Sequence, residues 1–283
     1  MTALQKITRL MRYNTWGKNL IIFIPFLLYG TPMGFFRHFG LAMLVFFAFS
    51  VAASIVYIFN DFMDLNEDKA HPKKKRRVLA SGIISMDMAV KTLGVLVSIE
   101  VLLLCFVPPL CMEIILLYFS VNILYSALLK NTPPIDVICV ALGYVFRVGI
   151  GYALFNTSAD WWFCTFIFCI ALFLTLVGRV MDAKINKTYT QNSLFYLYNA
   201  KLLAWIFAVV SLFSYLCFVE QYDVLLKVST LAVLIVLGRG LYLVSLTRMP
   251  MDLLNWGLKH DKIMRYGMGI YLAFLFFFSI GNN

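Results

Sequence analysis

The feature that most constrains this chain is a succession of apolar runs, each about 20 residues long and so able to cross the hydrocarbon core of a bilayer as a helix. Nine candidate spans fall near residues 19–36, 39–59, 88–107, 110–128, 135–155, 161–180, 199–219, 225–245 and 263–281. Gly30, Pro32 and Gly34 interrupt the end of the first, and Pro108-Pro109 joins the third to the fourth. Composition closes off other classes. With 62% hydrophobic and 13% charged residues, 283 residues carry too little charge to cover a soluble domain. They carry too much apolar and aromatic character for a disordered one. No linker-like stretch intervenes, so residues 1–283 read as a single membrane-embedded domain of the all-α class.

The net charge of +10 lies in short stretches between the apolar runs, a topology signal rather than a nucleic-acid-binding face. One set of loops holds Lys69, Lys73, Lys74, Lys75, Arg76 and Arg77, then Lys130, then Arg179, Lys184 and Lys187, then Arg248, Lys259 and Lys262. The opposite set has only Arg37 and Lys227 near span ends. The positive-inside rule then predicts a cytosolic N-terminus and, with an odd number of spans, an external C-terminus. Lys6, Arg9, Arg12 and Lys18 precede the first run without a small-residue cleavage site, which predicts a retained amphipathic helix. The six cysteines show no CxxC or Cys/His spacing and read as packing residues.

The sharpest local pattern follows the second span: Asn60-Asp61-Phe62-Met63-Asp64-Leu65-Asn66-Glu67-Asp68. On a helix, Asp61, Asp64 and Asp68 are spaced i, i+3, i+7, and Asn60, Asp64 and Asp68 i, i+4, i+8, so all four share one broad face. Carboxylates this close need a counter-charge, and Mg²⁺ suits oxygen ligands that share it with substrate phosphates. A basic stretch follows at once, His71-Pro72-Lys73-Lys74-Lys75-Arg76-Arg77. Acidic ligands beside a cation cluster fit a metal-bridged diphosphate, whereas the basic run alone would be a topology or lipid-headgroup signal.

These residues resemble a known family. Asn60-Asp61-x-x-Asp64-x-x-x-Asp68 after the second span is similar to the first aspartate-rich motif of the UbiA superfamily of intramembrane prenyltransferases. His71-Pro72-x-Lys74-x-x-Arg77 followed by Ala80-Ser81-Gly82 resembles one branch, the decaprenyl-phosphate phosphoribosyltransferases. Arg12-x-x-x-Trp16-x-Lys18-Asn19 resembles the N-terminal segment of that branch. Tyr125-Ser126-x-x-Leu129-Lys130, Pro133, Asp136-Val137, Gly143-x-x-x-Arg147 and Gly151 resemble its middle block. Ala171-Leu172-Phe173-Leu174 leading to Arg179 and Asp182, and more loosely Arg239, Tyr242 and Asp261, complete the likeness. The chain departs from the branch at Val78 and Tyr13, where proline is usual, and at Gly178–Asp182, a reduced Lys-Arg-Arg-x-Glu pattern. Asp182 to Asn186 also resembles a degenerate second aspartate motif of ordinary prenyltransferases.

The resemblance implies a UbiA-like bundle of about nine helices and Mg²⁺ held by Asn60, Asp61, Asp64 and Asp68, with the three aspartates catalytic. It implies substrate contacts from Lys18, Asn19, Lys74, Arg77, Tyr125, Lys130, Asp136, Arg147, Arg179 and Asp182. The implied reaction moves a 5-phosphoribosyl group from phosphoribosyl pyrophosphate to a polyprenyl phosphate at the cytosolic face of a bacterial or archaeal membrane. The alternative is transfer of a prenyl group from a prenyl diphosphate to an aromatic or glycerol-phosphate-type acceptor. A non-enzymatic transporter or membrane scaffold is a third class, but the chain shows no convincing internal repeat and its charges cluster at the cytosolic edge. Arg147, deep in the fifth span, reads either as an anion-binding group or as half of a structural ion pair. Glu100 is a possible partner for it, and Arg239 lies where an arginine can snorkel.

Overall fold

In a computed structural model of the chain, residues 2–29, 32–71, 74–185, 191–245 and 261–281 are described. All of the regular elements among them are helical. The sequence dictates a short amphipathic α1 (Ala3–Leu10), closed by a capping box between Thr2 and Gln5 and docked through buried Leu10. The chain continues as a 3-10 helix, Tyr13–Phe23, and then α2 (Ile24–Tyr29). The expected first span, 19–36, is therefore not one helix, and its last residues belong to the next, α3 (Pro32–Met63). The proline is the reason. Pro32 takes the first position of α3, where its missing N–H costs nothing.

After α4 (Leu65–Ala70) and a 3-10 turn at Lys74–Arg76 come α5 (Met86–Leu104) and α6 (Pro109–Leu124), the latter extended by a π turn at Tyr125–Leu129. Ser85 caps α5 by accepting from the Met88 amide at 3.2 Å. Then follow α7 (Ile135–Leu154), α8 (Trp161–Ile185), α9 (Gln191–Val219), the short α10 (Val224–Val228), α11 (Thr230–Ser245) and α12 (Lys262–Gly281).

Six stretches among the described residues are long and apolar enough to cross a membrane: His38–Met63, Pro109–Leu129, Ile135–Leu154, Trp161–Val180, Leu202–Val219 and Val224–Tyr242. The helix α5, carrying Asp87, Lys91 and Glu100, and α12, opening with Lys262 and Arg265, fall outside that set. Many of the exposed side chains are apolar, including Leu102, Leu117, Trp205, Phe213, Leu231 and Phe277, as befits a surface solvated by lipid.

The packed interior has two halves that meet on α7. One joins Val148 and Tyr152 of α7 to Phe163 and Phe173 of α8, Tyr215 and Phe218 of α9, Leu237 of α11 and Leu275 of α12. The other joins Ile150 and Leu154 of α7 to Val45, Phe49 and Ala52 of α3 and Ile115 and Tyr118 of α6. Gly151 lets the 3-10 helix lie against α7, since a Cβ there would sit 2.2 Å from the Ile22 carbonyl oxygen. A third cluster, Val51, Ile55, Ile58, Leu79, Ile84 and Leu96, pins the 74–84 loop against α3 and α5. That anchoring positions the candidate site.

Candidate active site

The helix α3 continues beyond the apolar run into the acidic motif, and the i→i−4 pattern persists across the junction with α4. The Asp64 amide donates to the Asn60 carbonyl at 2.9 Å and the Asp68 amide to the Asp64 carbonyl at 2.8 Å. Asp61, Asp64 and Asp68 therefore share a face, as the spacing predicts, and all three are buried at 4%, 8% and 1% exposure. Buried carboxylates this close are costly unless compensated. Three cations compensate them. Arg77 Nη1 lies 3.2 Å from Asp61, 3.8 Å from Asp64 and 2.6 Å from Asp68. Lys130 Nζ lies 2.7 Å from Asp64 and 3.2 Å from Glu67. Arg12 donates to Asp61 and stacks over the Tyr57 ring at 5.0 Å. Asn60 donates to Asp64 at 2.9 Å and accepts from Ser126 at 3.2 Å.

Each cation is delivered by a local device. Arg12 has φ of 52°, a left-handed conformation that costs a non-glycine residue about 1–2 kcal/mol and turns its side chain onto Asp61. Arg77 follows the 3-10 turn, its amide donating to the Lys74 carbonyl at 2.8 Å, and the loop reverses at Gly82 with φ of +73°. Lys130 closes the π turn, its amide bonding the Tyr125 carbonyl at 2.9 Å. Single π turns of this kind recur at functional sites, and this one also aims Ser126 at Asn60.

The donor set fits a hard divalent cation: it consists of oxygens, and Asp68 Oδ1 is buried without a hydrogen-bond partner. In the present arrangement no three carboxylate, histidine or cysteine side chains among the described residues converge to close around an ion. Arg77 bridges the three aspartates instead.

Alongside lies a second polar cluster. Arg179 Nε is 3.2 Å from buried Asp136, and Arg179 Nη2 donates to the Tyr125 hydroxyl at 3.2 Å. Lys74 feels both groups. Burial pulls its ammonium pKa below the ordinary lysine value, Arg77 and Arg179 push the same way, and Asp68 and Asp64 oppose them. Lys130 goes the other way: burial works to lower its pKa, but Asp64 and Glu67 outweigh it and raise it. His71 accepts from the Lys74 amide at 3.2 Å, a turn role rather than a basic one.

Residues expected at the site do not all gather there. Arg147 is 5% exposed, enclosed by the rings of Phe49, Tyr118 and Tyr144 at 4.9–5.7 Å. Its Nε donates to Asn19 at 2.8 Å, and Asn19 donates to Ser50 at 2.9 Å. Glu100 is not its partner: both Glu100 carboxylate oxygens are buried without a hydrogen bond. Lys18 is half-buried on the 3-10 helix. The Asp182 side chain lies outside the described residues, as does the rest of the expected second motif. Arg239, farther along, binds Asp261 through Nε at 2.9 Å and Nη2 at 2.7 Å. Arg12, Ser126 and Glu67 join the site without being among the residues expected there. Arg12 and Ser126 stand within segments that resemble the family, which was the available signal, and nothing local marks Glu67.

Comparisons with known proteins bear on the family and the fold. The model of the UbiA prenyltransferase family matches residues 19–253. The chain is 27% identical over 173 residues to the uncharacterized protein y4nM of Sinorhizobium fredii, covering 61% of this chain and 33% of that one. It is 25% identical over 215 residues to the decaprenyl-phosphate phosphoribosyltransferase of Mycolicibacterium smegmatis, covering 71% and 67%. The matched part thus spans a third of one relative and about two thirds of the other. The structure of a UbiA homolog from Archaeoglobus fulgidus bound to GPP and Mg²⁺ superposes with a TM-score of 0.73 at 17% identity, covering 98% of each chain. On the match over most of its length, the chain belongs to the UbiA prenyltransferase family and is an integral membrane protein.

Proposed function

We propose that the chain transfers a 5-phosphoribosyl group from phosphoribosyl pyrophosphate to a polyprenyl phosphate of the decaprenyl type, with the site facing the cytosol. The observation that carries this reading is the pair of adjoining polar clusters. One is the aspartate face with Arg12, Arg77 and Lys130, and the other is Arg179 with Asp136 and Tyr125. Two anionic substrates need two cationic surfaces. That favours a phosphate-bearing acceptor over a neutral aromatic one but fits a glycerol-phosphate-type acceptor equally, so the choice of donor rests on the relatives. The likeness to decaprenyl-phosphate phosphoribosyltransferases supports the same donor, and the basic loops support the cytosolic orientation.

Asn60, Asp61, Asp64 and Asp68 would hold a divalent cation, taken to be Mg²⁺, which supplies charge neutralisation of the diphosphate leaving group. Arg77 and Lys74 supply further positive charge to its oxygens as the bond from the anomeric carbon to the diphosphate breaks. The lipid phosphate, already anionic at neutral pH, attacks that carbon, oriented by Lys130 and Arg179. The electron pair leaves with pyrophosphate and no proton moves, so the step needs no general base. Much of the rate gain comes from holding a soluble donor and a lipid acceptor together.

The test is purified protein with Mg²⁺, a polyprenyl phosphate and ribose-labelled phosphoribosyl pyrophosphate. Label enters the lipid fraction, and Asp64→Ala reduces the rate on the order of 10²–10³-fold while the protein stays folded. Near-normal transfer by Asp64→Ala would show that the aspartate face is not the site.

A further inference from the structure

Beside Asp61, away from Lys130, a cavity of about 440 Å³ opens between the N-terminal segment and the 74–84 loop. Arg9, Arg12, Arg76 and Arg77 line it together with Tyr13, Asn14, Thr15, Asp61, Val78 and Ile83. Four arginines face a single carboxylate, and Asp61 is already bound by Arg12 and Arg77. Among the described residues, Arg9 and Arg76 make no ion pair, and both are exposed. The first turn of the 3-10 helix forms one wall and adds its positive end to the same space. The four planar guanidinium groups are suited to binding a phosphate through paired hydrogen bonds.

We infer that this four-arginine pocket binds a phosphate monoester, the 5-phosphate of the donor, and so selects a phosphorylated sugar diphosphate over a prenyl diphosphate. The inference rests on the donor reading above and adds Arg9, Arg12 and Arg76 to it. Asp61 stands at the boundary, in both the pocket lining and the aspartate face. A donor with its diphosphate on the aspartates would therefore have its far end beside the pocket. Arg12 is the shared wall, which gives its left-handed backbone a function.

The experiment measures binding of ribose 5-phosphate to the full chain in phosphatidylcholine nanodiscs, for the wild type and for Arg9→Gln/Arg76→Gln. Both substituted side chains are exposed, so a folded variant is expected, and unchanged binding of pyrophosphate with Mg²⁺ confirms it. The expected result is saturable ribose 5-phosphate binding that survives removal of Mg²⁺ and weakens at least about tenfold in the double variant. Equal affinity of variant and wild type, in a protein that does transfer phosphoribose, overturns the pocket assignment and leaves the donor reading standing. Failure of the wild type to transfer phosphoribose overturns both. Loss of ribose 5-phosphate binding when phosphatidylglycerol replaces phosphatidylcholine also overturns it, and assigns the arginines to a lipid headgroup.

Discussion

Arg77 holds the resting aspartate face together. Its guanidinium spans three carboxylates that would otherwise repel one another, and it competes with any cation for the same oxygens. Arg77→Gln is therefore expected to bind Mn²⁺ more tightly than wild type in the absence of diphosphate, by about tenfold or ~1.4 kcal/mol. Electron paramagnetic resonance titration reads this directly, and weaker Mn²⁺ binding by the variant would show that Arg77 helps to build the site instead. At this scale the aspartates were legible, because helical spacing is a local property and the helix runs on through Asp68. Of their partners, Arg77 was legible from the adjoining basic run and Lys130 through the family resemblance. Arg12 was not, since it lies 49 residues from Asp61 and only the fold brings the two together. Arg147 shows the converse: its depth in the span was readable, but its ring of three aromatics comes from α3, α6 and α7.

Among the elements, α11 and α12 are tied by Arg239 and Asp261, and Asp261 also caps α12 by accepting from the Met264 amide at 2.9 Å. Burial works to raise the Asp261 pKa, but the hydrogen bonds from Arg239 and the Met264 amide outweigh it and hold the carboxyl below its usual value. A carboxylate with a depressed folded pKa stabilises above its unfolded pKa, about 3.9, and loses that contribution as pH falls through the folded value. The thermal midpoint of the wild type should accordingly drop as pH falls below about 4. Asp261→Asn should begin lower at neutral pH by about 1–3 kcal/mol, the worth of charged hydrogen bonds, and show less of that acid-dependent loss. Parallel acid profiles for the two proteins would mean the pair contributes nothing. The expected spans after residue 86 fall on observed helices, because uninterrupted apolar runs fix helices locally. The 19–36 run failed since hydropathy is blind to a proline start and to the 3-10 winding of Tyr13–Phe23.

For the whole molecule, membrane residence and an all-helical fold were legible from composition and run length alone, and the six long apolar stretches agree with them. How the helices pack was not, because α7 joins both halves of the core through residues such as Val148, Ile150 and Gly151, whose partners come from helices far apart in the chain. What the bundle accomplishes is to bring the ends of α3, α6 and α8 together with the N-terminal segment around one polar center. Which donor the site uses decides its function. Sealed inside-out vesicles containing the protein, a polyprenyl phosphate and Mg²⁺ would be given ribose-labelled phosphoribosyl pyrophosphate and a differently labelled prenyl diphosphate at once. The ribose label is expected to enter the lipid phosphate and the prenyl label to be left behind. Entry of the prenyl label into an acceptor with no ribose label in the lipid would contradict it.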